Sequence, residues 1–149
     1  NIAAGSFTRR LGVEEGTSRK HPIVEFSYKR DDLGDPLLTR AHISVLELAE
    51  PQLVDELERR ALRINEVLRV HFEERGVTLV DFKLEFGTTP DVELVLADEI
   101  SPDTCRFWDA ATGEKLDKDL FRHDHGDAAS AYQELLDRLV GPVAAGVGA

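Results

Sequence analysis

Three charged residues alternate along one short stretch of the sequence. Asp81, Lys83 and Glu85 occupy every second position, and Asp98 and Glu99 follow after a short connection. Two carboxylates on paired strands can share a hard cation such as Mg²⁺, which prefers carboxylate oxygens and bridges substrate phosphates. A lysine between them supplies positive charge for a phosphate or a developing oxyanion. The pattern therefore predicts a phosphate-handling site, and its simplest alternative is the solvated outer face of a half-buried sheet.

Whether Glu85 and Asp98 share a face depends on the register of the hairpin between them. If the numbers of paired residues sum to an odd value, as for Glu85 with Val92, both carboxylates point the same way. An even sum places Asp98 on the apolar face unless a bulge intervenes. The sequence pattern leaves both registers open.

Several cations lie just downstream of the acidic pair. Arg106 stands near Trp108, and Lys118 and Arg122 lie in a segment where cations alternate with anions. A surface loop pinned by a buried tryptophan and weak surface salt bridges would also explain these residues. Together, however, they place three cations close in sequence to the predicted metal site, where they could bind a small anion.

Two other reactive residue types are better explained without chemistry. His123 and His125 stand in a loop next to Gly126, and histidines in such a loop are usually exposed. Cys105 lies near the predicted site, but no histidine or basic run at the spacing of a helix start marks it as a nucleophile. We expect a buried or half-buried thiol and no metal at the histidines.

The long helices are predicted from apolar periodicity. Apolar residues at steps of three and four predict a helix over 51–75, begun by Pro51 and capped by Gly76. A second amphipathic helix is predicted over 127–140. The inward faces are expected to carry Leu53, Leu57, Ala61, Ile64 and Leu68 in the first helix, and Ala131, Leu135, Leu136 and Leu139 in the second.

Strict alternation predicts a strand over Val77–Phe86, followed by a turn and a second strand over 92–98. A β-type run lies over 23–29, and residues 4–11 are predicted to form a short helix closed by Gly12. The expected fold class is α+β, a mainly antiparallel sheet with both long helices packed on its apolar face. That face is expected to carry Thr78, Val80, Phe82, Leu84 and Phe86, with Val77, Leu79, Asp81, Lys83 and Glu85 on the other and Lys83 lining a cleft.

Composition limits the classes of partner. The 149 residues suffice for one domain with a core, and 42% hydrophobic and 32% charged residues are typical of a soluble globular protein. A net charge of −11 argues against a nucleic-acid partner, and no apolar run is long enough to span a membrane. The single cysteine favours a reducing, cytoplasmic setting. Association into a homo-oligomer stays open.

The chain begins at Asn1 and contains no methionine, which predicts a fragment of a longer protein. Its first six residues are typical of the middle of a domain. Residues 141–149 consist of small residues and are expected to form a flexible tail.

Five stretches resemble, in order, the motifs of one enzyme family, the SAICAR synthetases (phosphoribosylaminoimidazole-succinocarboxamide synthases). The motif Asp-Phe-Lys-Leu-Glu-Phe-Gly within Val80–Gly87 is similar to the family's strand signature. The others extend the resemblance over nearly the whole chain up to the 127–140 helix. They are Asn1–Ser6 with the following Arg-Arg-Leu-Gly and Glu-Glu-Gly, Lys29–Pro36, Ala97–Asp109 and Leu116–Arg122.

The resemblance implies an α+β SAICAR synthetase fold and an ATP-dependent ligase of purine biosynthesis. In this family ATP phosphorylates the carboxylate of carboxyaminoimidazole ribonucleotide, and the amine of L-aspartate displaces phosphate to form an amide. Carried over, Glu85 and Asp98 would hold Mg²⁺ at the ATP phosphates, Lys29 would reach the nucleotide, and Asp81 and Lys83 would act at the reacting carboxylate. Binding of ribonucleotide or aspartate would fall to Ser6, Asp35, Lys83, Arg106, Lys118 and Arg122.

One part of the family pattern has no counterpart here. The family begins with a β-rich lobe whose hairpin covers the ATP phosphates, and an arginine precedes its equivalent of Asn1. Residues 1–140 are therefore expected to be the C-terminal portion of a catalytic unit. The alternative is a non-catalytic fragment that binds ribonucleotide or a partner protein without turnover, and a generic Mg²⁺-dependent phosphotransferase is a weaker third interpretation.

Overall fold

A computed structural model describes residues 1–18, 20–117 and 128–141. The helices are α1 (Gly5–Leu11), α2 (Arg40–Val45), α3 (Pro51–Glu73) and α4 (Ala128–Val140), with a 3-10 turn at Asp31–Leu33. The strands are β1 (Phe26–Ser27), β2 (Leu37–Leu38), β3 (Val77–Phe82), β4 (Phe86–Thr88), β5 (Leu94–Leu96) and β6 (Cys105–Asp109).

These strands form three antiparallel two-stranded sheets, β1–β2, β3–β6 and β4–β5. The α+β class with antiparallel pairing is confirmed. The predicted strand Val77–Phe86 is divided, because regular pairing stops at Phe82 and resumes at Phe86. β6 (Cys105–Asp109) is not among the strands that the sequence predicts.

A bulge in β3 explains why strict alternation predicted the wrong residues for the core. Leu79 pairs with Phe107 and Asp81 with Arg106, so Val80 is an extra residue in the ladder. Val77 and Leu79, predicted on the charged face, therefore lie in the core. Beyond the bulge, even-numbered instead of odd-numbered residues face the core, and Phe82 packs against the same core cluster. Phe82, Leu84 and Phe86 are half-buried, not buried as expected.

The hydrophobic core lies between the β3–β6 sheet and the two long helices. Phe72 of α3 contacts Phe107 of β6, with ring centroids 4.6 Å apart. Leu135 of α4 joins this cluster, whereas Leu136 is half exposed and not inward as predicted. The thiol of Cys105 is buried, as expected.

The buried face of α3 differs in detail from the predicted stripe. Its buried residues are Val54, Asn65 and Phe72, and the helix ends at Glu73 with Glu74, not Gly76, as its cap. Gly76 instead has φ +68 and leads the chain into β3. Within the described ranges, no helix combines the length and apolar character that a membrane crossing requires.

Candidate active site

A cleft of about 590 Å³ opens between α3, the β1–β2 sheet and the segment that links β3 to β4. Its floor is apolar where Leu57, Ala61 and Leu62 of α3 face it. The polar residues around this floor include six of the predicted site residues. These are Ser6, Lys29, Asp35, Asp81, Lys83 and Glu85.

Two lysines from different parts of the chain meet on one carboxylate. Glu85 Oε1 lies 2.6 Å from Lys83 Nζ and 3.2 Å from Lys29 Nζ. The hydrogen bond from Lys83, and then that from Lys29, lowers the pKa of Glu85 below its usual value. The bond to Glu85 in turn raises the pKa of Lys29. Glu85 therefore carries a full negative charge near neutral pH. Lys83 lines the cleft, as predicted.

The hairpin that leads to Asp98 does not have the register that would place its side chain on the same face as that of Glu85. Phe86 pairs with Leu96 and Gly87 with Val95, which is an even sum, and Glu85 O accepts from Ala97 N at 2.9 Å. Of the two registers that the sequence leaves open, the hairpin therefore has the even one. The chain bends at Asp98 as it leaves the ladder.

Asp98 is nonetheless subject to the charges of both lysines. A hydrogen bond with the Glu99 carboxyl and another from the Glu99 backbone N–H lower the pKa of Asp98, and the charges of Lys83 and Lys29 lower it further. We refer to Lys29, Lys83, Glu85 and Asp98 as the lysine–carboxylate cluster.

The carboxylates of this cluster suit Mg²⁺ by their donor chemistry. Glu85 is one-third exposed in the cleft, so its oxygens are accessible to a cation. In the part of the chain that the structure describes, no three His, Cys, Asp or Glu side chains converge as a metal site. Two carboxylates completed by water and phosphate oxygens match the way in which Mg²⁺ is usually bound. A shared ion between Glu85 and Asp98 stays a prediction.

Asp81 and Arg106 form the second charged group of the site. They face each other across β3 and β6, and Arg106 Nη1 lies 2.9 Å from both carboxylate oxygens of Asp81. The guanidinium also packs against the start of α1, where a Cβ on Gly5 would come within 2.5 Å of Nη2. Gly5 has φ +57, so its backbone conformation favours glycine, and an added Cβ would displace the neighbouring guanidinium. Arg106 thus ties α1 to the central sheet.

Ser6 and Asp35 lie on further parts of the cleft wall. Ser6 follows Gly5 on α1 and is exposed. Asp35 has φ 50, and its Oδ1 accepts a hydrogen bond from Arg30 N at 2.8 Å. Its negative charge helps to raise the pKa of Lys29, which places it near the lysine–carboxylate cluster.

Lys118, Arg122, His123 and His125 lie outside the described residues. The convergence of Arg106 with Lys118 and Arg122 therefore stays a prediction. Within the segment that the salt-bridge alternative covers, Lys115 forms an ion pair with Glu15, with 3.3 Å between Nζ and Oε1. Leu116 and Asp117 are buried, and Asp117 Oδ2 accepts a hydrogen bond from Phe107 N at 2.9 Å.

Asn65 is a polar residue of the cleft that was not among the predicted site residues. Asn65 is buried in the middle of α3 and lines the cleft, where Asn1 contacts it. The signal was present in the helical spacing. Asn65 follows Ala61 by four residues and precedes Leu68 by three, so it occupies the apolar stripe.

Known proteins resemble this chain in sequence over most of its length. The family model described as SAICAR synthetase matches residues 1–139. The phosphoribosylaminoimidazole-succinocarboxamide synthase of Brevibacillus brevis is 60% identical over 143 residues, which cover 96% of this chain and 60% of that protein. The chain thus spans about 60% of the length of the curated relatives it matches.

Solved structures agree in fold. A SAICAR synthetase in complex with ADP is 48% identical with a TM-score of 0.90, and the match covers 96% of this chain and 61% of that one. The SAICAR synthetase from Pyrococcus horikoshii is 48% identical with a TM-score of 0.88, and the match covers 96% of this chain and 62% of that one.

Proposed function

The chain belongs to the SAICAR synthetase family, and from that membership we propose that it supplies part of the active site of an ATP-dependent ligase. The proposed reaction joins L-aspartate to carboxyaminoimidazole ribonucleotide in purine biosynthesis, with release of ADP and phosphate. The convergence of Lys29 and Lys83 on Glu85 inside the cleft carries this proposal.

The lysine–carboxylate cluster is proposed as the phosphate end of the nucleotide site. Glu85 and Asp98 would hold Mg²⁺, which neutralises phosphate charge when it is bound. Lys29 is 63% exposed in its side chain, so its ammonium group can turn from Glu85 to a phosphate oxygen. The ADP bound in a relative that is 48% identical supports the assignment of a nucleotide.

The pair of Asp81 and Arg106 is proposed as the ribonucleotide end. Arg106 contacts Asp81 through one nitrogen, Nη1, and its guanidinium is proposed to bind an anionic group of the ribonucleotide as well. Ser6 beside it offers a hydroxyl, and Lys118 and Arg122 are proposed to complete the anion site. Asp35 is proposed to contact substrate from the opposite wall.

The chemistry then depends on position and charge. Lys83 stands between Asp81 and Glu85 in the sequence and would stabilise the charge on the phosphoryl group while the carboxylate attacks the terminal phosphate and ADP leaves with the electrons of the broken P–O bond. The acyl phosphate that forms is an activated carboxyl group, and the amine of aspartate displaces phosphate from it. Asp81, oriented by Arg106, would fix substrate groups near the reacting carboxylate. A cytoplasmic setting is part of the proposal.

The second candidate function is binding without turnover by this chain alone. It is favoured by the share of the relatives that the chain covers, about 60%. In this case the cleft would hold ribonucleotide, while the residues that enclose ATP would be supplied by sequence outside the 149 residues.

One assay separates these two functions. A full-length protein that carries this chain is mixed with ATP, Mg²⁺, ribonucleotide and L-aspartate, and ADP release is measured with and without aspartate. The proposal expects ADP release that depends on aspartate in the full-length protein. The isolated 149-residue chain should bind ribonucleotide in calorimetry and release no ADP. An equal rate of ADP release with and without aspartate in the full-length protein would overturn the ligase assignment.

A further inference from the structure

Asn65 is a polar residue in an apolar position. Only 4% of it is exposed, and it stands on the face of α3 that packs against β3. Asparagine is a poor helix former and is mostly exposed in folded proteins, so a buried one in the middle of a helix calls for a specific use of its amide.

The orientation of this amide is set by its neighbour. The Nδ2 of Asn1 donates to Asn65 Oδ1 at 2.7 Å and to the backbone oxygen of Leu79 at 3.1 Å. The Leu79 carbonyl can only accept, so it fixes Nδ2 of Asn1 as the donor on this side. Asn65 must therefore present its oxygen to Asn1 and its Nδ2 elsewhere.

The Nδ2 group of Asn65 brings two N–H donors to the cleft. No described residue accepts a hydrogen bond from it. The atom is also not enclosed in the protein interior, and Asn65 lines the cleft. A donor at the edge of a largely buried side chain is satisfied there by water or by a ligand.

We propose that Asn65 is a substrate-binding residue that donates a hydrogen bond from Nδ2 to an oxygen of the ribonucleotide. The inference rests on the proposed function. Asn65 is linked through Asn1 to Leu79, two residues before Asp81, and so lies toward the end of the cleft assigned to the ribonucleotide. Its oxygen is held by Asn1, so the orientation of the donor is fixed before the ligand arrives, which limits the ordering cost of binding.

The test compares Asn65→Asp with Gln52→Glu in the full-length protein that carries this chain. Asn65→Asp keeps an oxygen for Asn1 but replaces the donor with a charged acceptor that repels an anionic ligand. Gln52→Glu makes the same chemical change at an exposed position of α3 outside the cleft. Affinities for carboxyaminoimidazole ribonucleotide and for ADP with Mg²⁺ are measured separately by calorimetry, and Tm is recorded for each variant.

For Asn65→Asp we expect at least tenfold weaker ribonucleotide binding, the order of one lost hydrogen bond, with ADP affinity unchanged, even though a buried carboxylate lowers Tm. Asn65→Ala, which removes both groups, should weaken ribonucleotide binding as well, even if its Tm falls. Gln52→Glu should match wild type. Equal ribonucleotide affinity in Asn65→Asp and wild type would overturn the inference and leave the proposed function standing. A wild type that binds ADP but no ribonucleotide would overturn both.

Discussion

Replacing Gly5 by alanine tests how tightly the Asp81–Arg106 pair is built into the site. At φ +57 an added Cβ would lie 2.5 Å from Arg106 Nη2 and 2.7 Å from its Cζ. The guanidinium is the far end of a flexible side chain, so it can move away. Moving it separates Nη1 from the two oxygens of Asp81, each now at 2.9 Å.

The expected cost has two parts. A left-handed backbone with a Cβ costs about 1–2 kcal/mol. The ion pair is intermediate between an exposed pair, worth at most about 1 kcal/mol, and a buried pair, whose loss costs about 3–5 kcal/mol. Since Arg106 and Asp81 are 21% and 37% exposed in their side chains, we discount the pair to about 1–2 kcal/mol. Gly5→Ala should therefore destabilise the chain by about 2–4 kcal/mol.

Gly12→Ala is the matched control, because Gly12 has φ +63 and no atom of the described residues lies within 4 Å of the position that an added Cβ would take. It should cost only the backbone part, about 1–2 kcal/mol. The free energy of unfolding is measured by urea titration for both variants, alone and in an Arg106→Ala background. In the Arg106→Ala background we expect Gly5→Ala and Gly12→Ala to lower the free energy of unfolding by equal amounts. Equal costs of the two variants in the wild-type background would refute the argument.

Two further predictions concern stability away from the site. Arg59 and then Arg60 hold the pKa of Glu56 at about 2, below its usual 4.5, so the stability it contributes is complete above pH 4.5 and is lost as the pH falls toward 2. Glu56→Gln should reduce the change of the urea midpoint with pH in this window. An unchanged dependence of the midpoint on pH would contradict this role of Glu56. Phe107 is 1% exposed, so Phe107→Ala should cost about 3–5 kcal/mol. Val70→Ala, at an exposed position of α3, should change stability by less than about 0.5 kcal/mol in the same titration.

The sequence predicted the long helices and the charged stretch well, because periodicity reports directly which residues share a face. It failed for Val77 and Leu79, which lie in the core, since the bulge at Val80 adds one residue and the alternation does not run unbroken through the strand. No local pattern in Val77–Phe86 marks where the ladder of the distant strand β6 shifts. The boundary at Phe82 likewise depends on β6, which the sequence did not reveal as a strand.

The candidate site, like the fold, could be predicted only in part from the sequence. Lys83 and Glu85 could be predicted together, because they are two residues apart on one segment. That Lys29 meets them depends on tertiary packing, and only the family resemblance brought it into the predicted site. Asn65 was missed because a single polar residue in an apolar stripe has no motif, although its spacing placed it on the buried face.

The central claim is that the lysine–carboxylate cluster forms the phosphate end of a nucleotide site. Its most direct test is the affinity for ADP with and without Mg²⁺, measured by calorimetry on the full-length protein that carries this chain. Glu85→Gln is compared with Glu93→Gln, which makes the same change at an exposed position outside the cleft. We predict that Mg²⁺ strengthens ADP binding in wild type and in Glu93→Gln. The factor by which Mg²⁺ raises the affinity for ADP should be at least about tenfold smaller in Glu85→Gln. An equal gain from Mg²⁺ in Glu85→Gln and in wild type would contradict the account.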